Sequence, residues 1–373
     1  MKHRRNLFTG TGFRRAVTVC SAFGVVILIA AGFTWYSTGR ADRTPENASQ
    51  AEATLPSTPD GQPAPVQSIP PSAATASAPV SPSASSPESK KPTNEATTKA
   101  VAKGDCVLPS YPTADCTGVP AGWSPKRTVE GDLTVVKAGT VISDQLVTGS
   151  IYVKAADVTI RRTRVYGTID NFLGDKIYGH LTIEDTEVVP KPGEDVSSVQ
   201  QYAFGVANYT CRRCKIVNRM EGWRVGAGNY SGAGQVVIED SYAQLAVPAG
   251  LCQTADPHGD GIQGYGGPTV TIRHNTIDQR GDDCPTSPIF IPDQDNAGGT
   301  VTDNLLAGGG YALRLSGGSF PTVTGNKIVT KSAEYGPIDV DCSKIGTWSG
   351  NAEVTYDFDR GVILKETKKL NSC

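Results

Sequence analysis

Ile272-Arg-His-Asn275-Thr-Ile277, Val301-Thr-Asp-Asn304-Leu-Leu306 and Val323-Thr-Gly-Asn326-Lys-Ile328 are three copies of one pattern. It reads apolar, x, x, small polar, x, apolar. Four earlier copies begin at Ile160, Ile183, Cys211 and Ile238, so the steps from copy to copy are 23, 28, 27, 34, 29 and 22 residues. The fourth positions of the seven copies are Thr163, Thr186, Cys214, Ser241, Asn275, Asn304 and Asn326. The sixth are Val165, Val188, Ile216, Ala243, Ile277, Leu306 and Ile328. A repeat of this length signals a solenoid. Each unit holds short alternating apolar runs split by Gly, Asn and Asp, with no room for a long helix, so the units are coils of strands. The fold expected is all-β: a right-handed parallel β-helix whose coils stack about 4.8 Å apart. The small polar residue in mid-pattern should sit at a bend and hydrogen-bond to its counterpart one coil on.

Upstream of the repeat the sequence changes character twice. Lys2, Arg4, Arg5, Arg14 and Arg15 precede an uncharged run, 16–39, that closes near Trp35 and Tyr36. About 20 apolar residues cross a bilayer, and a basic flank stays cytoplasmic. The reading is a basic cytoplasmic tail at 1–15 and a single-pass signal anchor at 16–39, with a cleaved signal peptide as the rival. Residues 40–104 are rich in Pro, Ala, Ser and Thr and almost free of large apolar side chains. Such a segment cannot bury enough surface to fold and is expected to be a disordered stalk. Residues 105–373 are then an extracellular domain tethered to the cell membrane.

The net charge of -2 carries no information about partners. No basic stripe with interleaved aromatics suggests nucleic acid, and that class is set aside. Cys20 lies in the apolar run, which leaves eight cysteines in the exported part, a number that fits disulfides but allows 105 pairings. The expected bonds are Cys106–Cys116, Cys252–Cys284 and Cys342–Cys373. Cys211 and Cys214 fall on repeat positions, and so read as a short disulfide or two core thiols rather than a zinc or redox pair.

Each coil also carries a strand ahead of the repeat: Phe204-Gly-Val206, Trp223-Arg-Val225, Ile262-Gln263, Ile289-Phe-Ile291, Leu313-Arg-Leu315 and Ile338-Asp-Val340. Strand side chains alternate faces, so the middle residues point outward: Gly205, Arg224, Gln263, Phe290, Arg314 and Asp339. A mixed polar row with an aromatic suits sugar binding. The densest chemistry lies beside it, in Asp256-Pro-His-Gly-Asp-Gly-Ile-Gln-Gly-Tyr265. Asp256, His258 and Asp260 are the catalytic candidates. Arg224, Gln263, Tyr265, Phe290, Tyr311 and Arg314 are the substrate-binding candidates. Chemistry on a uronic acid needs a cation for the carboxylate, a base for the proton beside it and an acid for the leaving oxygen. Arg224 or Arg314, His258, and Tyr265 or Tyr311 fill those roles. A glycosidase would need paired carboxylates, for which Asp260 with Asp293 or Asp295 is the candidate. No metal-ligand set is assigned and no cofactor is called for, although calcium would suit the Asp-rich stretches. Asp256, Asp260 and His258 each have an alternative reading as turn or loop chemistry. His274 and His180 read as structural, His274 at a solvent-facing position. The basic runs around Arg162 and Arg213 read as solvated faces.

The coils from about 131 to 356 resemble the pectate-lyase-like superfamily of right-handed β-helices. Val-Thr-Gly-Asn-Lys-Ile at 323–328 and His258-Gly-Asp-Gly-Ile-Gln263 carry the likeness. The lead-in Cys106–Pro125 looks like that of exported bacterial β-helix proteins. Asp256-Pro257-His258 is similar to the Asp-Pro-His of mannuronan C5-epimerases, in which the Asp and His take part in catalysis. Those enzymes carry a Tyr three residues before the Asp, where this chain has Gln253. The resemblance implies β-elimination or C5-epimerisation of a uronate-containing polysaccharide, by a protein expected to be monomeric. The alternatives are a surface carbohydrate-binding or wall-associated protein without turnover, and a glycoside hydrolase.

Overall fold

The computed structural model describes residues 104–373 apart from Asp256, His258, Asp282, Asp283, Pro285 and Ser372. The basic tail, the anchor and all but the last residue of the stalk lie outside the described residues. Among the described residues, no helix is long and apolar enough to cross a membrane.

The described chain is almost wholly strand. It forms three long sheets, one of eleven strands and two of nine, and each sheet takes one strand from each coil in turn. All pairings in the three sheets are parallel, except that Val362–Lys369 folds back antiparallel on Ala352–Asp357 and closes the last coil. A strand order that advances by three in every sheet, save one step of five where a two-stranded hairpin intervenes and the final fold-back, is that of a parallel β-helix-like solenoid. The repeat sets its register. Ile160, Ile183, Cys211, Ile238, Ile272, Val301 and Val323 are consecutive Cα partners in one nine-stranded sheet. Val165, Val188, Ile216, Ala243, Ile277, Leu306 and Ile328 are consecutive partners in the eleven-stranded sheet. Both columns are fully buried. Each large aliphatic side chain so buried contributes about 1.5–3 kcal/mol, which makes these columns the main support of the domain.

Between the two columns the backbone turns, and the turn explains the polar position. The residue just before it is left-handed in every copy: Arg162, Asp185, Arg213, Asp240, His274, Asp303 and Gly325 all have φ between 45° and 71°. Such a bend turns amides into the interior, and buried amides must be paired. The small polar side chains do this. The Ser241 and Asn275 amides donate to Asn275 and Asn304 Oδ1, and the Asn304 and Asn326 amides to Asn326 and Asn351 Oδ1, at 2.9–3.1 Å. Each asparagine Nδ2 from 275 to 326 also donates to the next Oδ1. The ladder therefore runs one residue further than the pattern, to Asn351.

The side chains at the bend are not simply solvated, contrary to the expectation for the two basic runs. Arg162 pairs with Asp144 one coil back, Arg213 with Asp185, and Arg164 with Glu187. Nor does His274 face solvent. It is 3 % exposed because the lead-in covers it, with Nδ1 on Asp240 at 2.7 Å and Nε2 on the Ser110 carbonyl at 2.9 Å. That lead-in is a strap on the outside of the eleven-stranded sheet. Gly104 N donates to Arg360 O and Tyr111 N to Gly361 O, at the last coil. Further along, Gly118 N donates to Arg213 O, and Trp123 lies under the Arg164 guanidinium. The strap thus runs against the coil order before the first strand, Arg127–Val129, begins. The sulfurs of Cys106 and Cys116, Cys252 and Cys284, Cys342 and Cys373, and Cys211 and Cys214 lie at bonding distance.

Candidate functional site

The outward row lies on the remaining nine-stranded sheet. Arg224 pairs with Gln263, Gln263 with Phe290, Phe290 with Arg314, and Arg314 with Asp339. Gly205 precedes Arg224, with Phe204 paired to Trp223, and Asp170 precedes Gly205. Inward neighbours such as Trp223, Ile262, Ile289 and Leu313 are fully buried, so the alternation of the strand holds the row outward.

A second column flanks the row where the chain enters this sheet. Gly222 N donates to Asp260 O, and Gly261 N to Ser287 O, so Glu221, Asp260 and Ser287 stack on successive coils. Tyr202 precedes them, since Ala203 N donates to Glu221 O. Tyr311 follows two residues ahead of Leu313, the partner of Ile289.

The early part of this site is closed. Glu221 is 3 % exposed and accepts two hydrogen bonds from Arg224, at 2.6 and 2.7 Å. The Arg224 guanidinium also lies over the Tyr202 ring, 5.5 Å from its centroid. Asp260 is wholly buried, and neither carboxyl oxygen has a hydrogen-bond partner at ordinary distance among the described residues. Burial, and then the neighbouring Glu221, push its carboxyl well above the usual range, with Arg224 opposing. Both effects favour its protonated form over the carboxylate. Nearby, Ser287 Oγ and Gln263 Oε1 are also buried and have no hydrogen-bond partner among the described residues. Asp170, which the sequence reading did not name, accepts from the Phe172 amide at 2.8 Å and is pushed up to about 6 by burial. Arg219, also unnamed, is buried and donates to the carbonyls of Gly167 and Gln201.

The late part is open. Arg314 lies over Phe290, 4.7 Å from the ring centroid, and 5.8 Å from that of Tyr311. Its Nε donates to Asp339, whose side chain is half exposed. Tyr265 is exposed at the far end of its strand, beyond Gln263.

Of the catalytic candidates, Asp256 and His258 lie outside the described residues, and Asp260 sits beneath the surface. The paired carboxylates considered for a glycosidase do not meet. Asp260 precedes its strand, whereas Asp293 and Asp295 follow theirs on the opposite edge of the sheet, on the order of 15 Å away. The acidic neighbour of Asp260 is instead Glu221, one coil away. Its signal in the sequence was its position two residues before Trp223, matching Asp260 before Ile262. Among the described residues no group of three or more His, Cys, Asp or Glu is arranged to hold a metal ion. Open depressions of the surface lie elsewhere, one lined by Leu146, Thr148, Tyr166, Lys191 and Pro192, the other by the strap with Arg162 and Asp185.

Comparison with family models, with curated proteins and with solved structures returned no match.

Proposed function

We propose that the outward row binds a uronate-containing polysaccharide along the stack of coils, and that the Asp256–Asp260 segment beside it carries out β-elimination or C5-epimerisation. The observation that supports this most is the register that sets Arg224, Gln263, Phe290, Arg314 and Asp339 side by side. Such a row offers a cation, an amide, an aromatic face and a carboxylate to one extended chain, the mixture that sugar hydroxyls and a uronate require. In this reading Arg314 takes the substrate carboxylate, because Arg224 is already neutralised by Glu221. His258 removes the C5 proton. In elimination the released electron pair forms the C4–C5 double bond, the bond from C4 to the glycosidic oxygen breaks, and Tyr311 or Tyr265 protonates that oxygen. In epimerisation no bond to C4 breaks, and Tyr311 or Tyr265 donates a proton to C5 from the face opposite His258. Asp260, buried out of reach of substrate, acts as a positioning residue. The domain is read as a right-handed, pectate-lyase-like solenoid, the hand nearly all parallel crossovers take, held outside the cell as a monomer by the 16–39 anchor.

A panel of acidic and neutral polysaccharides tests the reading, with unsaturated-uronate absorbance, reducing ends and C5 proton exchange followed together. Absorbance identifies a lyase, exchange without cleavage an epimerase, and reducing ends without absorbance a hydrolase. His258→Ala should abolish the turnover without unfolding the chain, and a retained rate would remove His258 from the mechanism. The second reading is a binding protein without turnover, which the closed state of Asp260 and the neutralised Arg224 favour. Silence in all three assays with binding retained would establish it.

A further inference from the structure

Tyr335 is 68 % exposed, the largest value among the described large apolar and aromatic side chains apart from Val136. It is not loose on the surface. Its amide donates to Gly310 O at 2.8 Å, and its ring lies against the Gly310 backbone, with atoms 3.1 Å from where a Cβ would stand. The ring centroid is 5.7 Å from that of Tyr311, tilted by 55°. Tyr311 in turn lies beside Arg314, which covers Phe290. Three aromatic rings and one guanidinium thus follow one another over the last coils of the row. The guanidinium is fixed at Nε by Asp339, and its remaining N–H groups make no other hydrogen bond among the described residues.

From this arrangement we infer that Tyr335, Tyr311, Phe290 and Arg314 form a stacking subsite for the anionic sugar residue whose carboxylate Arg314 takes. The inference rests on the polysaccharide reading above and adds to it the seat of that sugar and a residue, Tyr335. The apolar face of a pyranose ring packs on Tyr335 and Tyr311. Its carboxylate meets the outer edge of Arg314, and Asp339 accepts from its hydroxyls. Neutral sugars would gain the stacking and lose the charge-assisted hydrogen bonds. Gly310 lets the ring sit close: a Cβ there would stand 3.1 Å from two of its atoms, tighter than ordinary contact.

The test uses the full chain as wild type, Tyr335→Ala, Tyr335→Phe and Arg314→Ala. Each is run through native gels containing sodium polygalacturonate, sodium alginate or neutral dextran, and dissociation constants are read from the retardation. Tyr335→Ala is expected to weaken binding to a polyuronate about 5- to 10-fold, the worth of one aromatic stacking contact, and Tyr335→Phe to leave it unchanged. Arg314→Ala should erase the preference for the polyuronate over dextran. Unfolding midpoints of all variants control for folding, which an exposed tyrosine should not disturb. Wild-type affinity in Tyr335→Ala, with Arg314→Ala still weakened, would overturn the subsite and leave the polysaccharide reading standing. Equal losses in the Ala and Phe variants would overturn stacking. No retardation of the wild type by any polyuronate would overturn both.

Discussion

The two ends of the outward row share one sheet, one register and one spacing, yet they are built in opposite ways. Toward the first coils, Asp170, Tyr202, Glu221, Arg224 and Asp260 form a closed titratable group in which every member is mostly buried. Toward the last coils, Phe290, Tyr311, Arg314, Tyr335 and Asp339 form an open group of rings and one exposed ion pair. The lesson concerns where the same ion pair has value. Arg224 with Glu221 is shielded from water, so each partner depends on the other, whereas Arg314 with Asp339 gives up little when separated and so stays available to a ligand.

Removing the carboxylate from each pair is the sharpest way to break the comparison. Glu221→Ala leaves Arg224 buried without its partner and should cost about 3–5 kcal/mol. Asp339→Ala, at the other extreme, should cost no more than about 1 kcal/mol. Urea unfolding of the two variants side by side reads the difference, and equal costs would show that the early end is wetter than its burial implies.

Next in size is the pH dependence of the closed end. Asp170 has its folded pKa raised, so its contribution is fully present below the unfolded value near pH 4 and is lost as pH rises toward 6. The loss is on the order of 2–3 kcal/mol. Asp260 is shifted the same way, by burial first and then by Glu221. Asp170→Asn and Asp260→Asn should therefore each flatten the fall in stability between pH 4 and 8. A stability curve unchanged in both variants would mean that neither carboxyl is held neutral.

A smaller effect is expected at the strap. Both nitrogens of His274 face acceptors, Asp240 and the Ser110 carbonyl, so both must carry protons. Although burial opposes it, these partners raise the His274 pKa. Its contribution is whole below about pH 6.5 and lost as pH rises through the folded value. Hydrogen exchange at Tyr111 and Gly118 should accelerate with pH beyond the intrinsic chemical rate, and His274→Gln should remove that excess.

The coil register was legible in the sequence because the side chains that set it repeat. Each apolar column and the polar ladder needs the same residue type at every coil, and only Asn351, beyond the last apolar copy, escaped. The outward row was legible for the same reason, through its apolar flanks. What surrounds the row was not. Asp170 continues the outward row one coil before Gly205, Arg219 pairs with Leu245, and Glu221 shares a column with Tyr202, Asp260 and Ser287, so no repeated residue type marks them. His274 and the bend arginines were read as exposed because the strap that covers His274, and the ion pairs that cross coils, leave no periodic trace. Asp293 illustrates the converse: proximity in sequence to a row residue, Phe290, did not place it near Asp260, because the intervening strand carries it to the other edge.

The strap has a mechanical consequence. Gly104 is bonded to Arg360 beside the closing hairpin, and Cys373 is held at Cys342 in the neighbouring coil, so the domain's two ends leave from the same end of the stack. Tension applied through residues 1–103 enters at the last coil, and the first coil carries none of it until the strap has been peeled away. The Cys106–Cys116 bond lies at the start of that peeling line, where it stops extension from running into the segment it closes. The contacts of Ser110 and Tyr111 lie inside the closed 106–116 loop and would be loaded together as one unit, with Gly118 loaded after them, so the solenoid's own coils stay intact while the strap yields in steps.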